Sequence, residues 1–381
     1  MTRLIKNITA VAAIAVTGAL GLLTVTVPKK TYSENENRML QGIPQLSWFA
    51  LADGSYFSGL SSCFTDHFAF RHFFVSSDAK LASGMCERVV NGVYIGNTRL
   101  IDAKVSERGK SQLNAERIKR FAGNYSGAVY LAAVPTSSGV YSSMLPAYLS
   151  YNTEKQQIDR FYAEFDRSIR KIDAYSILKM QTDDYIFLRS DTKWTGYGAY
   201  CVYKTVIQKL GFLPSSYSKY TVRHVSDDYC GNLYNRTQYM KSNKDMLDIY
   251  EYSDGAEAES CTCYYNNGDS KSAELYDLSA LDSGDKYDIY TCGTCPFMRI
   301  RTSLNNDRKL LVITDDMGRN FVPFLIQHYS EIGVVCPKKM TGKLEEYVNA
   351  DDYEQTLILI GADSLDDEDM LSPLEEEEES Q

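Results

Sequence analysis

Four short apolar runs, separated by amphipathic stretches, most constrain how this chain can fold. The runs are AVYLAAV, KLLVIT, EIGVVCP and TLILIG, at residues 128–134, 309–314, 331–337 and 356–361. Uninterrupted apolar runs of this length are typical of strands buried on both faces of a parallel sheet. Helical patterns predict helices at residues 109–125, 154–172, 195–210 and 321–329. Strands that alternate with helices indicate an α/β protein whose mostly parallel sheet is covered on both sides.

Residues 190–210 combine a charged cluster with a helix start, in the sequence SDTKWTGYGAYCVYKTVIQKL. Thr195 can accept hydrogen bonds from the first helical turn, and a glycine follows residue 210, where the helix should end. Asp191, Lys193 and Trp194 lie just before Thr195. Helix starts are rigid and their N–H groups favour anions, so this is a candidate site, although most such clusters are only helix entries.

The composition of the chain divides it into four segments. Residues 1–30 form a predicted signal-anchor or signal peptide, and residues 31–90 a linker with an N-terminal helical segment. Residues 91–361 form the α/β domain, within which residues 212–300 are rich in Tyr, Asp, Ser and Gly and predict a largely antiparallel, β-rich insertion. Residues 362–381 are expected to be an acidic disordered tail.

The net charge of −10 comes from that tail alone. Ten of the 50 acidic residues follow residue 362, where there is no Lys or Arg, and the rest of the chain has 40 acidic and 40 basic residues. The body of the protein is therefore neutral. It has neither a basic stripe nor a nucleic-acid-binding motif, so nucleic acid is not an expected partner.

An uncharged apolar run at residues 8–28 predicts export from the cytoplasm. Its length suffices to span a bilayer, and Arg3 and Lys6 precede it, which favours a single-pass membrane helix with the body outside the cytoplasm. The alternative is a cleaved signal peptide, with a passable cleavage site at residues 17–19 and a secreted product.

Nine cysteines suit an oxidising compartment. Cys261 and Cys263 share one face of a predicted strand, and Cys292 and Cys295 end a later one. Their spacing is unlike the usual paired zinc knuckles, so one or two disulfides are favoured over zinc. Cys63 with Cys86 is another possible pair. Since nine is odd, at least one thiol stays unpaired within the chain.

Six segments occur along the chain in this order: SENENRML, FTDHFAFR, NGVYIG, DTKWTGYGAY, VSDDYCGNLY and LLVITDDMGRNFVPFLIQHY. Together they resemble the DHHW family of bacterial exported proteins, a branch of the SGNH-hydrolase superfamily near the alginate O-acetylation proteins. The resemblance implies a three-layer α/β/α fold with a mostly parallel sheet, here with a β-rich insertion and an N-terminal membrane helix. It also implies a Ser nucleophile, a His base oriented by an Asp, and an Asn in an oxyanion pocket. The reaction implied is acyl-ester hydrolysis or acetyl transfer to glycan hydroxyls.

The chain departs from the family at the positions that should carry this chemistry. Where the family has Asp-His-His-Trp or Asp-Thr-His-Trp, this chain has Asp191, a threonine, Lys193 and Trp194, so Lys occupies the base position. Where the family has Asp-Ser, Asp315 is followed by Asp316. Thr294 stands at the position most like the oxyanion Asn.

These departures predict a catalytically inactive protein. Imidazole accepts a proton near neutral pH, whereas lysine, with a pKa of ~10.4, is almost wholly protonated there. Asp316 would attack as a carboxylate and form a mixed anhydride rather than a stable ester. We therefore expect a salt-bridged cluster of Asp191, Lys193 and Asp316, with Trp194 and Asp315 beside it as binding residues.

The sequence leaves three functions open. The first is a non-catalytic module that binds cell-surface polysaccharide or an envelope protein, and the second is an acyl esterase or O-acetyltransferase acting on cell-surface polysaccharide. Ser190 is a weak substitute nucleophile for the second, because no base is recognisable near it. The third is a Ca²⁺ or Mg²⁺ site formed by Asp191, Asp315 and Asp316, against which the Lys193 ammonium would compete. We expect no cofactor, and the four His residues form no zinc motif.

Overall fold

The structure is a computed structural model, which describes residues 2–26, 28–33, 38–84, 88–103, 111–147, 149, 154–282 and 284–375. The chain divides into two compact units. The N-terminal unit comprises Met1–Asn91 and Tyr234–Tyr239, and the main unit comprises Gly92–Leu233 and Met240–Gln381.

The N-terminal unit is mostly helical. Its helices are α1 (Thr2–Thr26), α2 (Trp48–Ala52), α3 (Ser55–Asp66) and α4 (Arg71–Gly84), and its strands are β1 (Tyr32–Ser33), β2 (Arg38–Met39) and β3 (Val89–Val90). The Thr24 hydroxyl accepts a hydrogen bond of 3.0 Å from Ala69 N, which connects α1 to the turn between α3 and α4. In the part of the chain that the structure describes, no helix has the length and apolar character needed to cross a membrane.

The main unit is a mixed α/β structure. Its helices are α5 (Ser111–Asn124), α6 (Ser137–Val140), α7 (Glu154–Ala163), α8 (Ala174–Lys179), α9 (Gly196–Lys209) and the first residues of α10 (Asn232–Thr237). Its strands are β4 (Val93–Ile95), β5 (Leu100–Asp102), β6 (Ala128–Val134), β7 (Ile169–Ile172), β8 (Tyr220–Tyr229), β9 (Asp245–Tyr252), β10 (Ala258–Tyr264), β11 (Ser270–Ala273), β12 (Phe297–Thr302), β13 (Lys309–Thr314), β14 (Glu331–Val335) and β15 (Gln355–Gly361).

An eight-stranded, mostly parallel sheet organises the main unit. The strand order is β11-β10-β12-β14-β13-β15-β6-β7. The five strands β14, β13, β15, β6 and β7 are parallel to one another. Strands β12, β10 and β11 extend the sheet beyond β14, and each is antiparallel to the strand before it in this order. The four apolar runs are strands β6, β13, β14 and β15 at the centre of this sheet, as the sequence predicts. The mostly parallel sheet is therefore confirmed.

One face of the sheet carries a large apolar core. Alternate residues of the central strands, such as Leu131, Leu311 and Ile358, pack there with Ile118 of α5 and Phe161 of α7. All five side chains are at most 2% exposed. Burial of this kind contributes roughly 25 cal/mol per Å² of apolar surface, so the apolar strands themselves supply much of the stability of the fold.

Two of the predicted helices are wrong in extent. The predicted helix at residues 154–172 ends at Ala163, and Ile169–Ile172 form the edge strand β7, which pairs with β6. Pairing with β6 completes the sheet and buries Ile169 and Ile172, so tertiary contacts override the helical pattern. Within residues 321–329 only Val322–Leu325 form a 3₁₀ turn, and all four of its residues are buried. The apolar pattern therefore reflects burial on all sides rather than one face of a helix.

The expected β-rich insertion is present, but its strands are divided between two sheets. Strands β8 and β9 form a separate antiparallel pair, as expected. Strands β10 and β11, however, belong to the central sheet rather than to a separate elaboration. The alternation in their sequence could not distinguish these two placements.

The expected disordered tail is wrong for residues 362–375; residues 376–381 lie outside the described part of the chain. Leu365, Met370 and Leu371 are fully buried in the core beside α5 and α7. The side chain of Asn114 donates to the backbone oxygens of Leu365 and Asp367 at 3.0 and 2.7 Å. Apolar residues between the acidic ones therefore fix this segment on the sheet.

Truncation of one of these buried side chains tests this packing. We expect Leu371→Ala to lower the free energy of unfolding by about 2–5 kcal/mol, because it leaves a cavity in the core. Glu368→Ala, an exposed position in the same segment, should change it by less than about 0.5 kcal/mol. Urea unfolding of the two variants and the wild type measures both values, and equal effects would contradict the packed arrangement.

Candidate functional site

The candidate site lies where the parallel strands end. Strand β13 is followed at once by Asp315 and Asp316, and β6 is followed within three residues by Ser137. Ser137 N donates to Thr192 O at 3.0 Å and its hydroxyl donates to Asp191 O at 3.1 Å. These contacts place the Asp191–Lys193 loop at the carboxyl edge of the sheet, where ligands of open α/β sheets bind.

A buried carboxylate shapes the loop before Asp191. Asp245 of β9 is fully buried and accepts hydrogen bonds from the backbone N–H groups of Arg189 and Ser190, at 2.7 and 2.8 Å. The Ser190 hydroxyl also donates to Asp245 and accepts from Gly231 N at 2.9 Å. Ser190 is itself fully buried, so it is not available as a substitute nucleophile.

The start of α9 holds the other end of this loop. The Thr195 hydroxyl accepts from Gly198 N at 3.2 Å, which is the N-cap that the sequence predicts. Phe187 and Trp194 pair as an isolated antiparallel bridge, so the intervening residues form a tight loop. Asp191 and Lys193 are therefore positioned by backbone contacts on both sides.

Asp191 and Lys193 form a buried ion pair. Lys193 Nζ lies 3.0 Å from Asp191 Oδ2, and the two side chains are 15% and 0% exposed. The same carboxylate oxygen accepts from the Tyr229 hydroxyl at 3.0 Å and from Asn232 N at 3.1 Å. Hydrogen bonds to the remaining lone pairs compensate the desolvation of a charge, and this carboxylate has them.

Asp316 pairs with Arg319 rather than directly with Lys193. Arg319 Nη1 donates to Asp316 Oδ1 at 3.0 Å, and Arg319 Nη2 donates to Asp288 Oδ1 at 2.9 Å. The Arg319 side chain is 2% exposed, whereas that of Asp316 is 53% exposed. The predicted nucleophile position therefore carries a solvent-facing carboxylate bound to a buried guanidinium.

Arg319 also holds the loop that precedes β12. Its Nε donates to Thr291 O at 3.1 Å and its Nη2 to Tyr287 O at 3.1 Å. Lys193 Nζ and Arg319 Cζ lie 4.9 and 5.4 Å from the centre of the Tyr287 ring. The two cations are thus close to the same ring, which is a favourable cation–π arrangement.

Charges in the site favour the ionised forms of both key residues. Burial alone would lower the pKa of Lys193, but Asp191, Asp316 and Asp285 outweigh it and hold that pKa above its ordinary value. Burial would raise the pKa of Asp316, but Arg319, Lys193 and Lys339 hold it well below its ordinary value. At neutral pH the site therefore contains an ammonium and a carboxylate, as the sequence predicts.

Neither of the two predicted binding residues is accessible to a ligand. Trp194 is fully buried, donates from Nε1 to Asn320 Oδ1 at 2.6 Å and stacks on Phe321. Asp315 is 9% exposed and accepts from Gly361 N and from the Ser364 hydroxyl, at 2.8 and 2.6 Å. Both side chains stabilise the fold around the site, because their polar groups are satisfied internally.

Thr294, the predicted oxyanion position, is exposed in the loop between Tyr290 and β12. Lys339 Nζ donates to the neighbouring carbonyl groups of Cys292 and Gly293, at 2.6 and 2.7 Å. Arg319 donates both to Thr291 O in this loop and to Asp316 Oδ1, so the loop lies near Asp316. An oxyanion role for Thr294 stays a prediction.

Within the described residues, no group of three or more His, Cys, Asp or Glu side chains is arranged to hold a metal ion. Asp315 is directed to the end of β15, and Asp191 and Asp316 are each paired with a cation. The three carboxylates proposed for Ca²⁺ or Mg²⁺ therefore do not form one ligand set.

Sequence reasoning missed the residues that hold the site together, namely Arg319, Asp245, Tyr229 and Tyr287. Arg319 had a usable signal, since it follows Asp316 by three residues and could meet it across one turn. The other three come from the Tyr- and Asp-rich insertion, where many equivalent residues obscure the few that matter.

Known proteins resemble this chain at the level of family and fold. A family profile described as DHHW protein matches residues 127–335, which is more than half of the chain. A DHHW family protein from Eubacterium siraeum superposes with a TM-score of 0.63 at 20% identity, covering 74% of this chain and 95% of that protein. PatB1 of Bacillus cereus, whose structure was solved with a sulfonyl adduct, superposes with a TM-score of 0.59 at 17% identity, covering 72% and 95%. The O-acetyltransferase domain of Pseudomonas putida AlgJ gives a TM-score of 0.43 at 15% identity, covering 76% and 95%. No curated protein matches the chain.

Removal of one partner of the buried pair tests its importance. We expect Asp191→Asn to lower the free energy of unfolding by about 3–5 kcal/mol, because it leaves the Lys193 ammonium without its partner. A double-mutant cycle with Lys193→Met should show strong coupling. The exposed pair of Arg223 and Glu251, at 3.1 Å, is the control and should contribute at most about 1 kcal/mol. A cost for Asp191→Asn no larger than this control would contradict the buried arrangement.

Proposed function

Because this chain belongs to the DHHW family, we propose that it is a non-catalytic member with a three-layer, SGNH-hydrolase-like fold that acts as a binding module outside the cytoplasm. The observation that carries the proposal is the ion pair between Asp316 and the buried Arg319, at the position where the resemblance places a nucleophilic serine. A retained fold with an altered reactive centre is typical of a protein that binds without turnover.

The loss of catalysis follows from the two groups that would have to act together. A serine nucleophile gives its proton to a base within hydrogen-bond reach. Asp316 has no proton to give at neutral pH, and Lys193 is a protonated ammonium bonded to Asp191. Neither half of the nucleophile–base unit is present, and loss of one half alone is commonly as severe as loss of both.

The ligand class we propose is a cell-surface polysaccharide, with an envelope protein as the other candidate. The family resemblance supports the first, since active superfamily members transfer or remove acyl groups on glycans. The half-exposed Asp316 and the exposed Thr294 offer hydrogen-bonding groups at this end of the sheet. An active acyl esterase or O-acetyltransferase is the alternative.

We also propose that the main unit lies outside the cytoplasm, as a membrane-anchored or secreted domain. The support is the uncharged apolar run at residues 8–28 with basic residues before it. When the main unit is associated with cells whose outer layer is permeable to protease, added protease should digest it. Complete protection of the cell-associated main unit would contradict the proposal.

The catalytic part is tested by reactivity. We expect the folded protein to show no labelling by a serine-directed fluorophosphonate and no hydrolysis of p-nitrophenyl acetate above the heat-denatured control, because the nucleophile and base are absent. Asp316→Ser combined with Lys193→His should gain labelling, whereas Asp316→Ser alone should not, since it lacks a neutral base. Labelling of a serine in the folded wild-type protein, together with turnover of p-nitrophenyl acetate, would establish the enzyme alternative instead.

The binding part is tested on an array of cell-wall and capsular glycans, with and without O-acetyl groups. We expect the protein to bind at least one class of glycan on the array and to release no acetate from the O-acetylated glycans. Thr294→Trp should reduce binding by about tenfold or more, corresponding to about 1.4 kcal/mol, because it adds bulk at the site. Thr221→Trp, an exposed position on β8, is the matched control. No glycan binding, together with no crosslinked envelope protein, would refute the binding role.

A further inference from the structure

Four buried cysteines lie together in and around the loop that Arg319 and Lys339 hold. Cys263 is on β10, Cys292 and Cys295 are in the loop before β12, and Cys336 follows β14. Each of the four side chains is at most 5% exposed. Because β12 lies between β10 and β14 in the sheet, its leading loop brings the four thiols into one region.

The contacts within this cysteine cluster are unequal. The Sγ atoms of Cys295 and Cys263 are in direct contact, 2.7 Å apart. The Cys292 thiol faces Val334 O at 3.5 Å, and Cys336 N donates to Pro296 O at 2.8 Å. Cys295 and Cys263 therefore form a thiol pair in direct contact within this cluster.

Metal ligation does not account for the cluster, since none of the described His, Cys, Asp and Glu residues group in the way that metal binding requires. Cys261 offers a comparison on the same strand. It is also buried, but it pairs across the sheet with Ala273 and Ile300 and not with a cysteine. The proximity of Cys263 to Cys295 is therefore specific to that position of β10.

We propose that Cys263 and Cys295 form a disulfide bond that cross-links the loop before β12 to strand β10. The two thiols lose two protons and two electrons, and an S–S bond forms. The oxidant is a second disulfide, from glutathione or from an oxidoreductase protein, which is cleaved to two thiols through a mixed-disulfide intermediate. Cys292 and Cys336 remain thiols beside the bond.

The loop has a conformation that needs such a restraint. Cys292 has a φ of 57°, in the left-handed region that non-glycine residues rarely adopt. A side chain at Gly293 would lie 2.2 Å from Asp288 O, so the loop is closely packed at the next residue as well. Backbone of this kind persists where its surroundings over-determine it, and a covalent link to β10 supplies one such constraint.

The disulfide would act on the candidate site through Arg319. This guanidinium donates to Thr291 O in the same loop and to Asp316 at the nucleophile position. A disulfide that fixes the loop also fixes the carbonyl oxygens that accept from Arg319. The position of Arg319 then holds its ion pair with Asp316 in place. The inference concerns the covalent state of the loop and does not depend on whether the protein is catalytic.

Peptide mapping tests the bond directly. The full chain is refolded in a glutathione redox buffer, its free thiols are blocked with iodoacetamide in denaturant, and it is digested without reductant. We expect one linked species that contains Cys263 and Cys295 and that separates on reduction, with Cys292 and Cys336 alkylated. Alkylation of both Cys263 and Cys295, or a bond from Cys295 to Cys292, would overturn the proposal.

Thermal unfolding with and without reductant provides the second measurement. We expect reductant to lower the wild-type Tm by about 4 °C or more, because the bond closes a loop of about thirty residues. Cys263→Ala should lose this response, whatever its own stability, and Cys261→Ala should keep it. A reductant-induced shift that persists in Cys263→Ala would show that a different bond is responsible.

Discussion

The buried guanidinium of Arg319 is the interaction on which the arrangement of the site depends. An arginine that is 2% exposed is costly to desolvate unless carboxylates and carbonyl oxygens occupy its five N–H donors. Asp316, Asp288 and backbone oxygens of the loop before β12 provide these acceptors. The ends of β13 and β12 are thereby tied together around one cation.

The central sheet is stabilised by a different set of residues from those that form the candidate site. The central strands bury aliphatic side chains on both faces, and none of the groups in the Asp191–Lys193 or Asp316–Arg319 pairs belongs to that core. Changes at the carboxyl ends of the strands therefore leave the sheet intact. This separation of scaffold and site is common in α/β proteins, where one fold carries many functions.

Charge balance favours the ionised forms of Lys193 and Asp316. Lys193 and Arg319 are both close to the Tyr287 ring, and each is neutralised by a carboxylate. Each ion stabilises the charged form of its partner, so the pKa of Lys193 rises and that of Asp316 falls. Proton transfer between such partners is unfavourable near neutral pH, since a base needs a pKa near the working pH.

The sequence by itself determined the apolar strands, the cap of α9 and the presence of Asp316 and Lys193 where the resemblance places serine and histidine. Each of these features depends only on residues that are close together in the sequence, either as a local pattern or as a short motif. Only the tertiary structure decided the rest. It made Ile169–Ile172 an edge strand rather than a helix, packed Leu371 into the core, buried Trp194 and paired Asp316 with Arg319. Each of these depends on which surface another part of the chain covers, and the energy of burial is a property of that contact and not of the local pattern.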